Sequence, residues 1–352
     1  MKKLFYSISL ILIAGWINCV FAAVKTGVDG TIRGSVWVAN EGGNSITVIN
    51  AGTNEVTATL SGVGGPHNLQ VSPDGKSVWV VSGHGSKAII IDGATYTPHG
   101  SVSTGNHPAH IIVSPDSQRV YVTNGGDNSV SIIDVGTMKP IREIPVGQYP
   151  HGLRPSPDGK RVFVANIKSD SLSVIDTASE SRIADIHVGK KPVQVAFSPD
   201  GKFVYASLNG ENALVKVDAE KLAVVGKVKV GIGPVQVAAT PDNRRIVVAN
   251  QGTEQQPSTT VSVIDVHTFS VTDTVETGKG AHGVVIDPSG AYAFITNIYG
   301  NDVSVVDLSI RKTIAKIPTG QKPNGVSFST MESPTPSTPV INLSIEGHEA
   351  KH

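Results

Sequence analysis

The chain is 352 residues long, with 29 basic and 29 acidic side chains, 39% hydrophobic residues and a single cysteine. That balance excludes the strongly basic footprint of a nucleic-acid-binding surface. One thiol excludes a disulfide framework and a cysteine-ligated metal centre, so stability has to come from packing.

The first element is a leader. Lys2 and Lys3 form a basic start, Leu4 to Val20 form a mostly apolar run, and Val20-Phe21-Ala22 offers small residues at a cleavage site. This pattern predicts a secretory signal over residues 1–22, removed after Ala22 and carrying Cys19 away with it. Taking two lysines from 29 leaves 27 basic against 29 acidic residues, a net charge of −2. No later segment approaches the roughly 18 apolar residues of a membrane span. The expected product is a soluble exported monomer, periplasmic or secreted, with no nucleic-acid partner and no membrane span in the mature chain.

Residues 23–330 repeat one unit. The segments VWVAN, VWVVS, VYVTN, VFVAN, VYASL, IVVAN and AFITN begin at 36, 78, 120, 162, 204, 246 and 293. Each precedes a polar loop and a second run, from ITVIN in the first copy to VSVVD in the last. Third runs such as KPIREIPVG and fourth runs such as HGLRPS complete the copies. Short Val/Ile/Thr-rich segments bounded by Gly, Pro, Asn and Asp read as strands, and no window carries a long helical period. Four short strands about every 42 residues predict an all-β, seven-bladed β-propeller with four antiparallel strands per blade. The first copy lacks an innermost strand and NGVSFS, residues 324–329, has none after it, so the C-terminal strand is expected to complete the first blade.

The succession VYVTN, VSIID, IPVG, SPDG resembles the YVTN family of seven-bladed propellers, over residues 33–330. The resemblance implies an exported surface or periplasmic binding protein. The repeat is also similar to the propeller parts of redox enzymes such as amine dehydrogenase heavy subunits and nitrous oxide reductase, the latter implying histidine-bound copper. A reductase of that kind is not expected, because two of the equivalent positions are Val193 and Val235 and no cysteine follows the leader.

Two recurring motifs read as structural. SPDG, at 72, 156 and 198, is a tight turn in which Pro presets φ and Gly takes the left-handed position. The residue closing each second strand, Asp92, Asp134, Asp176, Asp218, Asp265 and Asp307, with Asn50 in the first copy, suits a turn rather than catalysis. Uniform turns mark one face. The opposite face carries the irregular loops, SGHGSK at 82–87 and QGTEQQPSTT at 251–260 among them, together with the segments entering the channel. Binding is expected there.

Histidines gather on that second face. The residues opening the innermost strands, from the second blade on, are His67, Ala109, His151, Val193, Val235, His282 and Asn324. His67, His151 and His282 form a nearly even triangle about the axis, with His84, His107 and His110 nearby as additional candidate ligands. Three imidazoles at a narrow mouth suit copper or zinc with an open coordination position. The plainer account makes PHG a repeat motif whose histidine faces water. Arg154 is individual: its equivalents are Gln70, Ile112, Ala196, Ala238, Val285 and Ser327. A guanidinium there needs water or a partner, and Asp287 is one candidate; an anionic ligand in the channel is another.

From residue 331 a Pro/Ser/Thr-rich tail is expected to be flexible. Its end, His348-Glu349-Ala350-Lys351-His352, spells a metalloprotease signature without the packed helix or third ligand it requires. No Ser-His-Asp set, phosphate loop or cofactor fingerprint appears. The leading expectation is a non-enzymatic binding or scaffold protein for an unknown protein or small-molecule ligand. It would act through the irregular face, with Arg154, Asn324 and Asp287 as channel contacts. The alternative is a copper- or zinc-dependent redox or hydrolytic protein centred on His67, His151 and His282.

Overall fold

Runs such as SVWVAN and RVYVTN place β-branched and aromatic side chains side by side, and these favour extended backbone. In the computed structural model, which describes residues 32–333 and 340–343, every regular element among the described residues is a strand. The leader and the His348–His352 motif lie outside the described residues. No helix among the described residues is long and apolar enough to cross a membrane.

The strands form seven sheets of four antiparallel strands, one of which gains a fifth. The innermost strands of blades 2 to 7 are Pro66–Val71, Pro108–Val113, Pro150–Pro155, Pro192–Phe197, Pro234–Ala239 and Ala281–Ile286. Blade 1 takes its innermost strand from the far end of the repeat region, Pro323–Ser329, which pairs antiparallel with Ser35–Asn40. The register is Val36 to Phe328, Trp37 to Ser327 and Val38 to Val326. The seven innermost strands then touch in a closed cycle. The expected closure is what the chain does.

Packing follows the two-residue period of the strands. Val36 and Val38 enter an apolar cluster with Phe294, Val303 and Val305 of blade 7. Trp37 and Ala39 point the other way, against Leu69, Val78 and Val80 of blade 2. Seven such clusters occur, each shared by two neighbouring blades. Burial is therefore two-sided in the inner strands, whereas the outermost strand Lys139–Pro145 is exposed except at Ile144.

Two expectations change. The long loop at 251–260 is mostly a lengthened hairpin: strands Arg245–Gly252 and Pro257–Asp265 extend toward its tip, with Gly252 opposite Pro257. The tail is not wholly free of the fold either. Val340–Asn342 adds a parallel fifth strand to the outer edge of blade 1, beside Glu55–Ser61. The Leu343 amide donates to the Ser61 carbonyl at 2.9 Å, and its side chain is buried in the blade 1–blade 2 cluster. An open sheet edge beside an apolar seam accounts for the docking.

Leu343→Ala is expected to cost about 2–5 kcal/mol, and Val326→Asp, which buries a carboxylate in the closing strand, should cost more. Urea midpoints measure both. An unchanged midpoint for Leu343→Ala would mean the fifth strand adds nothing to the fold.

Candidate functional site: a histidine-lined channel mouth

On one face the turns satisfy themselves. Ser72, Ser156 and Ser198 donate to Asp74, Asp158 and Asp200, each at 2.6 Å. Asp287 occupies the serine position in blade 7, where the roles reverse. Its carboxylate accepts from the Ser289 amide and hydroxyl and from the Tyr292 amide. Asp287 is thus a turn residue rather than the partner of Arg154. The acids closing the second strands likewise accept backbone amides two or three residues on, as Asp92 does from Ala94 and Thr95.

The other face is shaped by a β-bulge at the head of every innermost strand. In blade 4, Pro150 pairs with Asn166 and Leu153 with Val164, so His151 and Gly152 share the place opposite Ala165. The same shift occurs in the other six blades. A bulge sets two residues against one and re-aims their side chains. Two rings of residues result: one holds His67, Ala109, His151, Val193, Val235, His282 and Asn324. The next holds Asn68, His110, Gly152, Gln194, Gln236, Gly283 and Gly325. In blade 3, Thr123 accepts from the His110 amide at 3.0 Å and donates to the His151 carbonyl at 2.6 Å, tying two bulges together.

The structure brings together His67, His151 and His110, the last from the second ring. One ring nitrogen of each lies within 4.8 Å of the others. His67 Nε2 is 3.3 Å from His151 Nε2, and the His110 and His151 ring centroids are 4.5 Å apart. His151 Nδ1 donates to the Val193 carbonyl at 3.1 Å. His67 Nδ1 lies 3.2 Å from Glu41 Oε1, and Asn324 Nδ2 donates to Glu41 Oε2 at 2.9 Å. His110 is fully buried, its Nδ1 lies 3.2 Å from Gln194 Nε2, and its Nε2 has no partner.

The other candidates separate from this trio. His282 is buried nearby with Nδ1 unpartnered, yet lies outside the group of three. His84 is exposed beside Gly64 and Gly65, and His107 is an exposed left-handed turn residue at φ 49°; neither joins the trio. Arg154 is half-buried and donates to the Leu153 carbonyl at 3.2 Å; burial lowers its pKa to about 10. No carboxylate among the described residues pairs with it.

Burial dominates the electrostatics. It lowers His151 to about 3, helped by the charges of His67 and His282, and lowers His282 to about 4, helped by His67. His110 is pushed well below its ordinary value by burial, then by His151, His67 and Arg154. Burial raises Glu41, but hydrogen bonding and charge from His67, the Asn324 amide and His282 outweigh it and hold the carboxyl at about 2. Glu41 and Gln194 escaped the sequence reading. Glu41 had a signal, since its equivalents are Gly83, Gly125, Ile167, Asn209, Gln251 and Ile298, none of them acidic.

The model of the YNCE-like β-propeller family matches residues 107–228 and 188–334. No curated protein sequence matches the chain. Among solved structures, a hydrazine synthase from Kuenenia stuttgartiensis is similar at 26% identity and TM-score 0.69, covering 76% of this chain and 90% of that one. A functionally unknown protein from Desulfotomaculum acetoxidans has 15% identity and TM-score 0.74, over 85% of this chain and 100% of that one. The dihydro-heme d1 dehydrogenase NirN in complex with DHE has 15% identity and TM-score 0.64, over 85% and 76%. The last two similarities bear on the fold alone.

The depressed histidines set a pH dependence. Unfolded, His151 and His282 titrate near about 6.5; folded, they resist the proton until about 3 and 4. Their contribution is full above about pH 6.5 and is lost as pH falls toward those folded values, at up to about 1.4 kcal/mol per pH unit for each. Glu41 acts in the same direction lower down, losing its contribution as pH falls from about 4.5 toward its folded value of about 2. Thermal midpoints should be level from pH 7 to 8 and drop below pH 6, and His282→Gln should shallow the drop. A midpoint that rises toward pH 5 would contradict this account.

Proposed function

We propose that this chain, which belongs to the YNCE-like β-propeller family, is an exported binding protein that receives a polar ligand at the histidine-lined mouth of its channel. One observation carries the reading. His110 Nε2, Gln236 Nε2, His282 Nδ1 and Asn324 Oδ1 are buried without hydrogen-bond partners, and all four belong to the bulges that open the innermost strands. A buried polar atom left unmet costs about 1–3 kcal/mol, and native folds rarely concentrate such atoms without use. Donors and acceptors of a bound molecule would offset that cost. Arg154 adds an uncompensated cation in the same innermost strand as His151, which favours a ligand with an anionic group. On the opposite face the serines and aspartates of the turns satisfy one another, and unmet atoms there, such as Asn54 Oδ1 and Asn243 Oδ1, sit in turns of different blades. The YVTN resemblance and the leader ending at Ala22 supply the exported half of the proposal.

The test is native mass spectrometry of untagged protein recovered from its own host. The mature chain should begin at Ala23 and carry about one equivalent of a non-covalent ligand that denaturation releases. An Asn324→Ala/Gln236→Ala double variant should lose at least tenfold in occupancy. Retention in the cytoplasm with the leader intact would overturn the export half. A bare exported chain would overturn the binding half, as would occupancy indifferent to the double variant.

A further inference from the structure

We infer that the channel mouth holds a divalent metal ion of the zinc class, with His67, His110 and His151 as ligands and a fourth position turned to the channel. The inference rests on the mouth being a ligand seat and gives that seat a metal ion, whose fourth position would take the ligand's anionic group.

The geometry of the cluster carries it: one ring nitrogen of each of the three histidines lies within 4.8 Å of the others. A carbonyl oxygen only accepts, so the contact to Val193 places the proton of His151 on Nδ1. Neutral His151 then has a bare Nε2. A carboxylate also only accepts, so a proton on His67 Nδ1 would meet Glu41 Oε1 and leave a neutral His67 bare at Nε2 as well. The Asn324 amide, whose Nδ2 lies 3.0 Å from the same Nδ1, favours the other tautomer, with the proton on Nε2. These two nitrogens face each other at 3.3 Å. In the first tautomer two lone pairs meet at that distance and repel unless a cation lies between them; in the second, His67 Nε2 donates to His151. Ligand nitrogens at a tetrahedral ion, bonded at about 2.0–2.1 Å, are about 3.3–3.4 Å apart. The observed separation is one edge of that tetrahedron.

His110 supplies the third corner. It is fully buried, its Nε2 lacks any partner, and one of its ring nitrogens lies within 4.8 Å of the other two ligands. Capture requires it to move inward. The outer contacts resemble those that orient metal-bound imidazoles, with Glu41 behind His67 and the Val193 carbonyl behind His151. Gln194 is the imperfect member. Its Oε1 accepts from the Val195 amide, which turns its NH₂ toward His110 Nδ1. Metal at Nε2 would put a proton on that Nδ1, so an acceptor there would serve better. Three imidazoles without a thiolate suit zinc or its substitutes rather than calcium or magnesium, which prefer oxygen. The competing arrangement is a single shared proton, in which Asn324 Nδ2 donates to His67 Nδ1 and His67 Nε2 donates to His151 Nε2.

The experiment uses the full chain without a tag, carrying His348→Gln and His352→Gln, stripped with chelator and titrated with Zn(II) and with Co(II). One equivalent should bind, and Co(II) should show the intense visible bands of tetrahedral coordination. His151→Gln should weaken binding at least a hundredfold, and Glu41→Gln about 10–100-fold. Gln194→Glu, whose carboxylate accepts from both Val195 and His110, should strengthen it. His84→Gln should bind as the parent does. Glu41 is half-exposed, so its variant keeps the test available should His151→Gln fail to fold. No uptake by a chain with its native thermal midpoint would overturn the metal and leave the shared proton. Uptake untouched by both His151→Gln and Glu41→Gln would overturn the assignment of ligands. An organic adduct on exported protein that takes up no metal would sink this inference alone; a bare chain that takes up no metal sinks the binding proposal too.

Discussion

Seven apolar seams, each shared by two blades, hold every other feature of this molecule in position. Because the inner strands bury both faces, Val36 and Trp37 serve different seams although they are neighbours in sequence. No blade owns a core of its own. A ring built this way has to close, and it does so by lending its last repeat strand to its first blade. Cross-links are unnecessary because the seams run all the way round. Inner-strand positions that point into a seam are therefore unavailable for polar chemistry, and what remains are the rims and the hub.

At the hub the recurring bulge solves a geometric problem. A regular strand would send successive side chains to opposite faces, one into each seam. Setting two residues against one frees both from that alternation. Polar side chains such as His67, Asn68, His110, Gln194 and Asn324 can then occupy strands that are otherwise apolar. Hydroxyls opposite the bulges carry the connection from blade to blade. Thr123 reaches the His151 carbonyl, Ser207 that of Val235 and Thr296 that of Asn324. Their neighbours Ala39, Ala165 and Ala249, in the same register, have no hydroxyl to offer. Repetition thus builds the frame, and departures from repetition make its mouth asymmetric.

That division explains what the sequence could disclose. Period-two alternation, turn residues and spacing are local and recur seven times, so blade number, closure and the structural role of Asp92 or the SPDG turns were legible. His67 and His151 were also legible, as repeated departures at one position. His110 was legible only as an additional candidate, because straight-strand alternation sends residue 110 away from residue 109, and no residue pattern announces a bulge. Glu41 lies on a loop of blade 1, and its meeting with His67 depends on blades 1 and 2 having packed side by side. Leu343 was invisible for the same reason: only the assembled edge of blade 1 gives its segment something to pair with. Asp287 misled because a carboxylate in a serine position looks like an unspent charge, whereas the turn simply exchanges acceptor and donor.

The contacts that assemble the trio skip a blade. His67 in blade 2 meets His151 in blade 4, and His110 in blade 3 meets Gln194 in blade 5; both pairs are 84 residues apart. Reaching past a neighbour requires that neighbour to be small at the crossing point. Gly152 meets that requirement, since a Cβ there would lie 2.2 Å from Gln194 Oε1 and 2.6 Å from the Gln194 Cα. The glycine of PHG is therefore as much a part of the mouth as its histidine. His151 supplies a nitrogen to the cluster, while Gly152 beside it clears the path by which Gln194 reaches His110. One bulge thereby serves two contacts that cross different blades.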